Sequence, residues 1–161
     1  MTLSRRIAAA LDERARAQDA TSTVSVDDGP NRLQLDLTAL DSVGVSFDAL
    51  EFATTQRPEW SADDLTAWGE RIAKRVTYLM EPLKVVEIDA AEGEVQIRSD
   101  APTPRAELRG YYEILLGRAG TCRLHRFVFD ETTRRRRRAS CNLTREVLER
   151  LIDDIAATAA A

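Results

Sequence analysis

TCRLHRFVFDETTRRRRRASC, residues 121–141, is the stretch on which the reading of the whole chain turns. Cys122–Asp130 alternates apolar and polar positions and is rich in aromatic and β-branched side chains, the pattern of a β-strand. Five consecutive arginines, Arg134–Arg138, follow after only Glu131-Thr132-Thr133. A run charged on both faces has no place in a buried central strand, so the tract is a sheet edge or a hairpin tip reaching solvent. With a two- or four-residue loop centred on Glu131-Thr132, Phe129 falls opposite Arg134, Phe127 opposite Arg136, His125 opposite Arg138 and Cys122 opposite Cys141. One face then carries Cys122, Leu124, Val128, Ala139 and Cys141. The other sets Phe127 and Phe129 beneath Arg134 and Arg136, within reach of cation–π contact.

Outward from this hairpin, Leu108–Leu116 reads as a strand joined to Cys122–Asp130 by Gly117-Arg118-Ala119-Gly120, whose two glycines supply a turn. Val85–Ile88 and Glu94–Arg98 read as short strands around Ala90–Gly93, and a proline-containing loop follows them. Leu33, Leu35 and Leu37 alternate as a half-buried strand, and residues 43–54 form its hairpin partner, with Val43, Val45 and Phe47 on one face and Leu50 and Phe52 on the other. The spacing of Leu65, Trp68, Ile72, Val76, Leu79 and Met80 predicts a helix over 62–81, with Ser61 and Asp64 as an acidic capping box and Pro58 and Pro82 as brackets. Leu3, Ile7 and Leu11 predict an N-terminal helix over 4–17, and Val147, Leu148, Leu151, Ile152 and Ile155 predict a last helix over 144–158 capped by Thr144. Residues 18–31 read as a linker or long loop, and the alanine tail 159–161 as frayed. The expected architecture is one α+β domain over 1–161: a single antiparallel sheet of about six to seven strands with three helices, in the order α-β-β-α-β-β-β-β-β-α.

Composition bounds the function classes. The 161 residues carry a formal net charge of −4, with 43% hydrophobic and 31% charged residues, as in an ordinary globular domain. The charge is split, because residues 1–104 hold 11 basic and 19 acidic side chains and residues 105–161 hold 12 and 8. Lys74 and Lys84 are the only lysines, so the chain prefers arginine throughout and no single arginine weighs much. Neither a secretory signal nor a membrane-length apolar run is expected, and two cysteines are too few for a disulfide scaffold, which points to the cytoplasm.

The candidate site residues follow from chemistry. Arg134, Arg135, Arg136, Arg137 and Arg138 with Phe127 and Phe129 form a candidate surface for a protein partner or an anion. A solvated edge whose charges pair with the acidic half is the plainer alternative. Tyr111, Tyr112, Glu113 and His125 are the polar groups available to a pocket between helix 62–81 and the sheet. Cys122 and His125 stand three apart in a strand and so point to opposite faces, which rules out a dyad. Trp60 reads as a possible exposed anchor and Trp68 as core. No metal-ligand set, phosphate-binding glycine loop or nucleophile elbow appears, and no cofactor is expected.

The expected function is a small, non-enzymatic binding, adaptor or chaperone-like protein that engages a protein partner, a second copy as a homodimer, or both. The alternatives are nucleic-acid or other polyanion binding through Arg134–Arg138, which a pI near 5.2 opposes, and a small-ligand or enzymatic domain using the pocket. In layout alone, the order of helices and strands resembles the small acidic α+β dimers that serve as chaperones for secreted effectors, such as type III secretion chaperones. The strands after Pro82 depart from that layout.

Overall fold

The leucine alternation of residues 33–37 becomes one strand of a broad antiparallel sheet, seen in a computed structural model that describes residues 2–89, 93–99, 103–105 and 108–161. The elements run α1 (Leu3–Arg16), β1 (Thr23–Asp28), β2 (Asn31–Leu40), β3 (Gly44–Thr54), α2 (Ala62–Arg75), β4 (Leu83–Asp89) and β5 (Glu94–Ser99). They continue with β6 (Thr103–Arg105), β7 (Leu108–Gly117), β8 (Thr121–Asp130), β9 (Arg135–Ala139), β10 (Cys141–Thr144) and α3 (Arg145–Ala160). Seven strands form the path β1-β2-β3-β8-β7-β5-β4, and β6, β9 and β10 pair off it with β7, β8 and β3. The fold is the expected α+β arrangement with a single antiparallel sheet and three helices.

All three helices lie on one face: α1 against β1 and β2, α3 against β3 and β10, and α2 against β4 and β5. Leu3, Ile7, Leu11, Leu65, Trp68, Ile72, Leu148, Leu151, Ile152 and Ile155 are buried beneath them. Each large apolar side chain removed from water contributes roughly 1.5–3 kcal/mol before entropy is counted. Gly69 lets α2 approach closely, since a Cβ there would stand 3.4 Å from Val85, Val95 and Ile97. Across the top of this layer, Arg75 Nε and Tyr78 Oη each donate to Asp154 at 2.7 Å, and Trp68 Nε1 donates to Thr158 Oγ1 at 3.1 Å.

Several expectations need correction. Residues 18–31 are not simply a loop: Val24 and Val26 alternate inward, and Thr23–Asp28 pairs with Asn31–Asp36 as β1. The predicted helix 62–81 ends at Arg75, where Val76 leaves the helical region; Val76 and Leu79 are still buried, but Met80 is exposed. The last helix continues to Ala160 instead of fraying after 158, because Thr158 and Ala159 are buried and Arg71 Nε donates to the Thr158 carbonyl at 2.9 Å. Trp60 is no exposed anchor; it is buried and stacked on Trp68 with ring centroids 4.7 Å apart. In β3 the two apolar sets share one face. Leu35 pairs with Leu50 but Leu37 with Phe47, so an extra residue at Asp48-Ala49 resets the alternation and brings Val45, Phe47, Leu50 and Phe52 all into the core.

Candidate functional site: the arginine hairpin and the open sheet face

Strand β8 sends Cys122, Leu124, Arg126 and Val128 toward the helices and Arg123, His125, Phe127 and Phe129 to the uncovered face, a period of two that runs unbroken against β7 from Gly117↔Thr121 to Leu108↔Asp130. The expected hairpin with β9 forms, but its register differs from the expected one. Phe127 pairs with Arg138, Phe129 with Arg136 and Asp130 with Arg135, two residues along the tract from the predicted partners. The loop is centred one residue later, on Thr132-Thr133, for a local reason. Asp130 Oδ1 accepts from the Thr132 amide at 2.9 Å, the Arg134 amide donates to the Asp130 carbonyl at 2.8 Å, and Arg134 adopts φ 60°, so four residues (131–134) close the loop. A shift of two preserves faces, so Arg136 and Arg138 still share a side with Phe127 and Phe129.

Cys122 does not face Cys141. Cys122 pairs with Leu116 of β7 and Phe52 of β3, whereas Cys141 opens β10 opposite Phe47. The chain turns sharply between β9 and β10, where Ser140 Oγ donates to Asp48 Oδ1 at 3.1 Å in the β3 bulge. Both thiols are free, and burial pushes each up to about 12.

On the uncovered face Glu113 is the centre of a network. Its side chain is 7% exposed and accepts from Gln96 Nε2 at 2.6 Å and Arg136 Nη1 at 2.9 Å; the same Nη1 donates to Tyr111 Oη at 3.2 Å. The bond to Tyr111, with the Glu113 carboxylate, holds the Arg136 guanidinium even more firmly protonated than an ordinary arginine. Arg136 lies 4.2 Å over the Phe127 ring and Arg134 5.7 Å over Phe129, while Tyr111 stacks on Phe127 at 5.8 Å and Arg98 sits 5.1 Å over Tyr111. His125 stands opposite Glu113 in register and is buried; its burial, and then Arg138, hold its imidazole below the usual histidine range. The ion pair Arg109–Glu131 ties the hairpin loop to β7.

The four residues expected to line a pocket between helix 62–81 and the sheet do not share one side of the sheet. Tyr111, Glu113 and His125 face away from α2, and only Tyr112 faces the helices, under Arg126 at 4.5 Å. Tyr111 and Tyr112 therefore divide between the two sides of β7, as adjacent strand residues must. A cleft of about 330 Å³ is lined by Gly93, Arg118, Thr121 and Arg123 at another end of the sheet. Sequence reasoning missed Gln96 and Arg98: their alternation with Val95 and Ile97 places them on the uncovered face, but the neighbour order β5-β7-β8 that brings them to Glu113 and Tyr111 has no local signature.

Among the described residues, no three His, Cys, Asp or Glu side chains converge as a metal site, and no helix is long and apolar enough to cross a membrane. Among the described residues the tract makes no ion pair with the acidic half of the chain. Arg136 is bound to Glu113, Arg134 covers Phe129, and Arg135, Arg137 and Arg138 have no carboxylate of the described residues within 4.0 Å. Among the described residues, then, these three guanidinium groups form no ion pair, although Asp130 stands opposite Arg135 in the ladder. No family model, curated protein or solved structure matches the chain.

Proposed function

We propose that the protein is a non-enzymatic binding module, an adaptor or chaperone-like protein, that holds an acidic region of a partner protein on the arginine hairpin. The observation that carries this reading is the set Arg135, Arg137 and Arg138, which form no ion pair among the described residues, on a strand fixed in place by the Arg136–Glu113 and Arg109–Glu131 pairs. Preorganised guanidinium groups lose little freedom when they meet carboxylates, which accept paired hydrogen bonds from them. Of the two partner classes expected, a different protein is favoured over a second copy at this strand, because β9 against β9 would set arginine opposite arginine. Two free thiols, buried apart, fit a reducing cytoplasm.

Nucleic acid is the weaker reading on one specific ground. Single-strand binders offer free aromatic faces for bases to stack on. Phe127 already lies between Arg136 and Tyr111, and Phe129 lies under Arg134.

Fluorescence anisotropy with a labelled deca-glutamate peptide and with a labelled single-stranded deoxythymidine oligomer tests both. Binding of the peptide at low salt, its loss in about 1 M salt where the screening length falls to about 3 Å, and its loss in the triple variant R135S/R137S/R138S are expected. Equal binding by the variant overturns the reading, and tighter binding of the oligomer than of the peptide favours the polyanion alternative.

A further inference from the structure

Two more cations stand without a carboxylate on the uncovered face, away from the hairpin. Lys84 on β4 and Arg98 on β5 are directly opposite in the ladder. Leu83, Ile97 and Ser99 are buried and Val85 packs on the core, so strand alternation sends Lys84 and Arg98 to the uncovered side. Among the described residues neither has a carboxylate within 4.0 Å, and Arg98 Nε is buried with no acceptor. Like charges directly opposite on paired strands are destabilising, and no described group offsets this pair.

Arg98 is joined to the hairpin through two rings. Its guanidinium lies 5.1 Å over Tyr111, Tyr111 stacks on Phe127 at 5.8 Å, and Phe127 stands opposite Arg138 on β9. A band from Arg138 through Phe127, Tyr111 and Arg98 to Lys84 therefore crosses β9, β8, β7, β5 and β4, with Arg136 lying over Phe127 within it. Its four inter-strand steps of about 4.8 Å make it roughly 19 Å long. Most other charges of this face are already matched: Arg136 is paired with Glu113, Arg109 with Glu131, Arg123 with Glu51 and Arg32 with Asp27. Asp36 lies on β2, beyond β3, and accepts from Thr23. Glu87, Asp89 and Glu94 gather at the hairpin end of β4 and β5, the end away from Lys84 and Arg98.

We infer that the acidic segment of the partner protein lies across this band, transverse to the strands, with carboxylates on Arg138 at one end and on Arg98 and Lys84 at the other. This rests on the binding function proposed above and adds to it a second contact point, on the far side of the sheet from the hairpin. Six residues of extended chain, at about 3.4 Å each, are enough to span the band. A carboxylate set between Lys84 and Arg98 accepts from both and removes the repulsion between them. The rings between the two ends are already covered by guanidinium groups, so the middle of the band supplies a surface and the two ends supply the attraction. Direction follows from charge as well: a segment laid along β4 and β5 instead would run from Lys84 and Arg98 into Glu87, Asp89 and Glu94.

The test separates the band from the hairpin and from net charge. Labelled deca-glutamate is titrated with the intact protein in about 0.1 M salt, where exposed charges are screened beyond about 10 Å. The variant K84S/R98S is expected to bind at least about fivefold more weakly than wild type, as for two surface ion pairs lost. Lys84 is exposed, so K84E keeps the fold while it sets a carboxylate opposite Arg98, and it is expected to weaken binding at least as much. A charge-matched control, R5S/R16S at exposed positions of α1 on the helix side, should stay within about twofold of wild type. Wild-type affinity in K84S/R98S or in K84E, with binding lost in R135S/R137S/R138S, overturns the band and leaves the hairpin reading standing. An equal loss in R5S/R16S also overturns the band, because net charge alone then decides. If the wild type does not bind the peptide, the binding function is overturned together with the band.

Discussion

Replacing Arg126 by methionine tests the inner side of the strand that carries the site. Arg126 lies on the helix face of β8, between Leu124 and Val128, where its Nη1 donates to Glu81 Oε1 at 3.1 Å and its guanidinium covers Tyr112 at 4.5 Å. The pair is enclosed: the Glu81 side chain is 1% exposed and that of Arg126 13%. Gly110 on β7 makes room for it, because a Cβ there would overlap Arg126 Nη2. Methionine matches much of the aliphatic volume but removes the guanidinium facing a buried carboxylate. Breaking one side of a buried pair costs about 3–5 kcal/mol, and the residual exposure of Arg126 places the expected loss near the lower end, about 3 kcal/mol. For a chain of this size each kcal/mol moves Tm by roughly 2–4 °C, so a fall of about 6–12 °C is expected. The assay is thermal unfolding by circular dichroism, with urea titration to confirm an unchanged m value. The double variant E81Q/R126M, which removes both charges, should recover a large part of the loss. A loss below about 1 kcal/mol in R126M, with no recovery in the double variant, refutes the buried-pair argument.

Other outcomes follow from the same geometry. The triple variant R135S/R137S/R138S should change unfolding free energy by no more than about 0.5 kcal/mol, as for exposed residues without partners, whereas E113A should cost about 1–3 kcal/mol by stranding Gln96 and Arg136 beside a cavity; equal losses in chemical denaturation would contradict the network. His125 is held below the usual histidine value, so the unfolded chain binds the proton more readily. Stability from this group is intact above the unfolded value near 6.5 and falls as pH drops through it toward the folded value, and H125Q should flatten the acid-side slope below about pH 6.5; an unchanged slope speaks against this. Mild oxidation of the native protein should yield no Cys122–Cys141 bridge by peptide mapping, because the two thiols line different strand pairs, and alkylation should be slow until the protein unfolds.

The strands and helices were legible where side chains repeat with a fixed period. Ser61 with Asp64 forms the capping box, Thr144 caps α3, and Leu108–Leu116 and Cys122–Asp130 lie in register as consecutive antiparallel neighbours. What failed was phase and length. The β3 bulge resets the alternation between Phe47 and Leu50, and no propensity marks it. The one-residue shift of the hairpin turn comes from Asp130 capping its own turn, which competes closely in energy with a turn centred one residue earlier. Helix α2 stops before its apolar stripe does, because Val76 and Leu79 are buried just as well outside a helix.

Composition and periodicity alone determined that this is an α+β domain with an arginine strand exposed at an edge and phenylalanines on the same side as Arg136. Those properties depend on neighbours within a few residues, and on the impossibility of burying five guanidinium groups. Only the tertiary structure decided that Glu113 claims Arg136, that Gln96 and Arg98 join the face, that Tyr112 turns to the helices and that Arg135, Arg137 and Arg138 form no ion pair among the described residues. These depend on the strand order β5-β7-β8-β9, set by how the whole sheet buries its leucines under three helices, and no local stretch of sequence encodes that order.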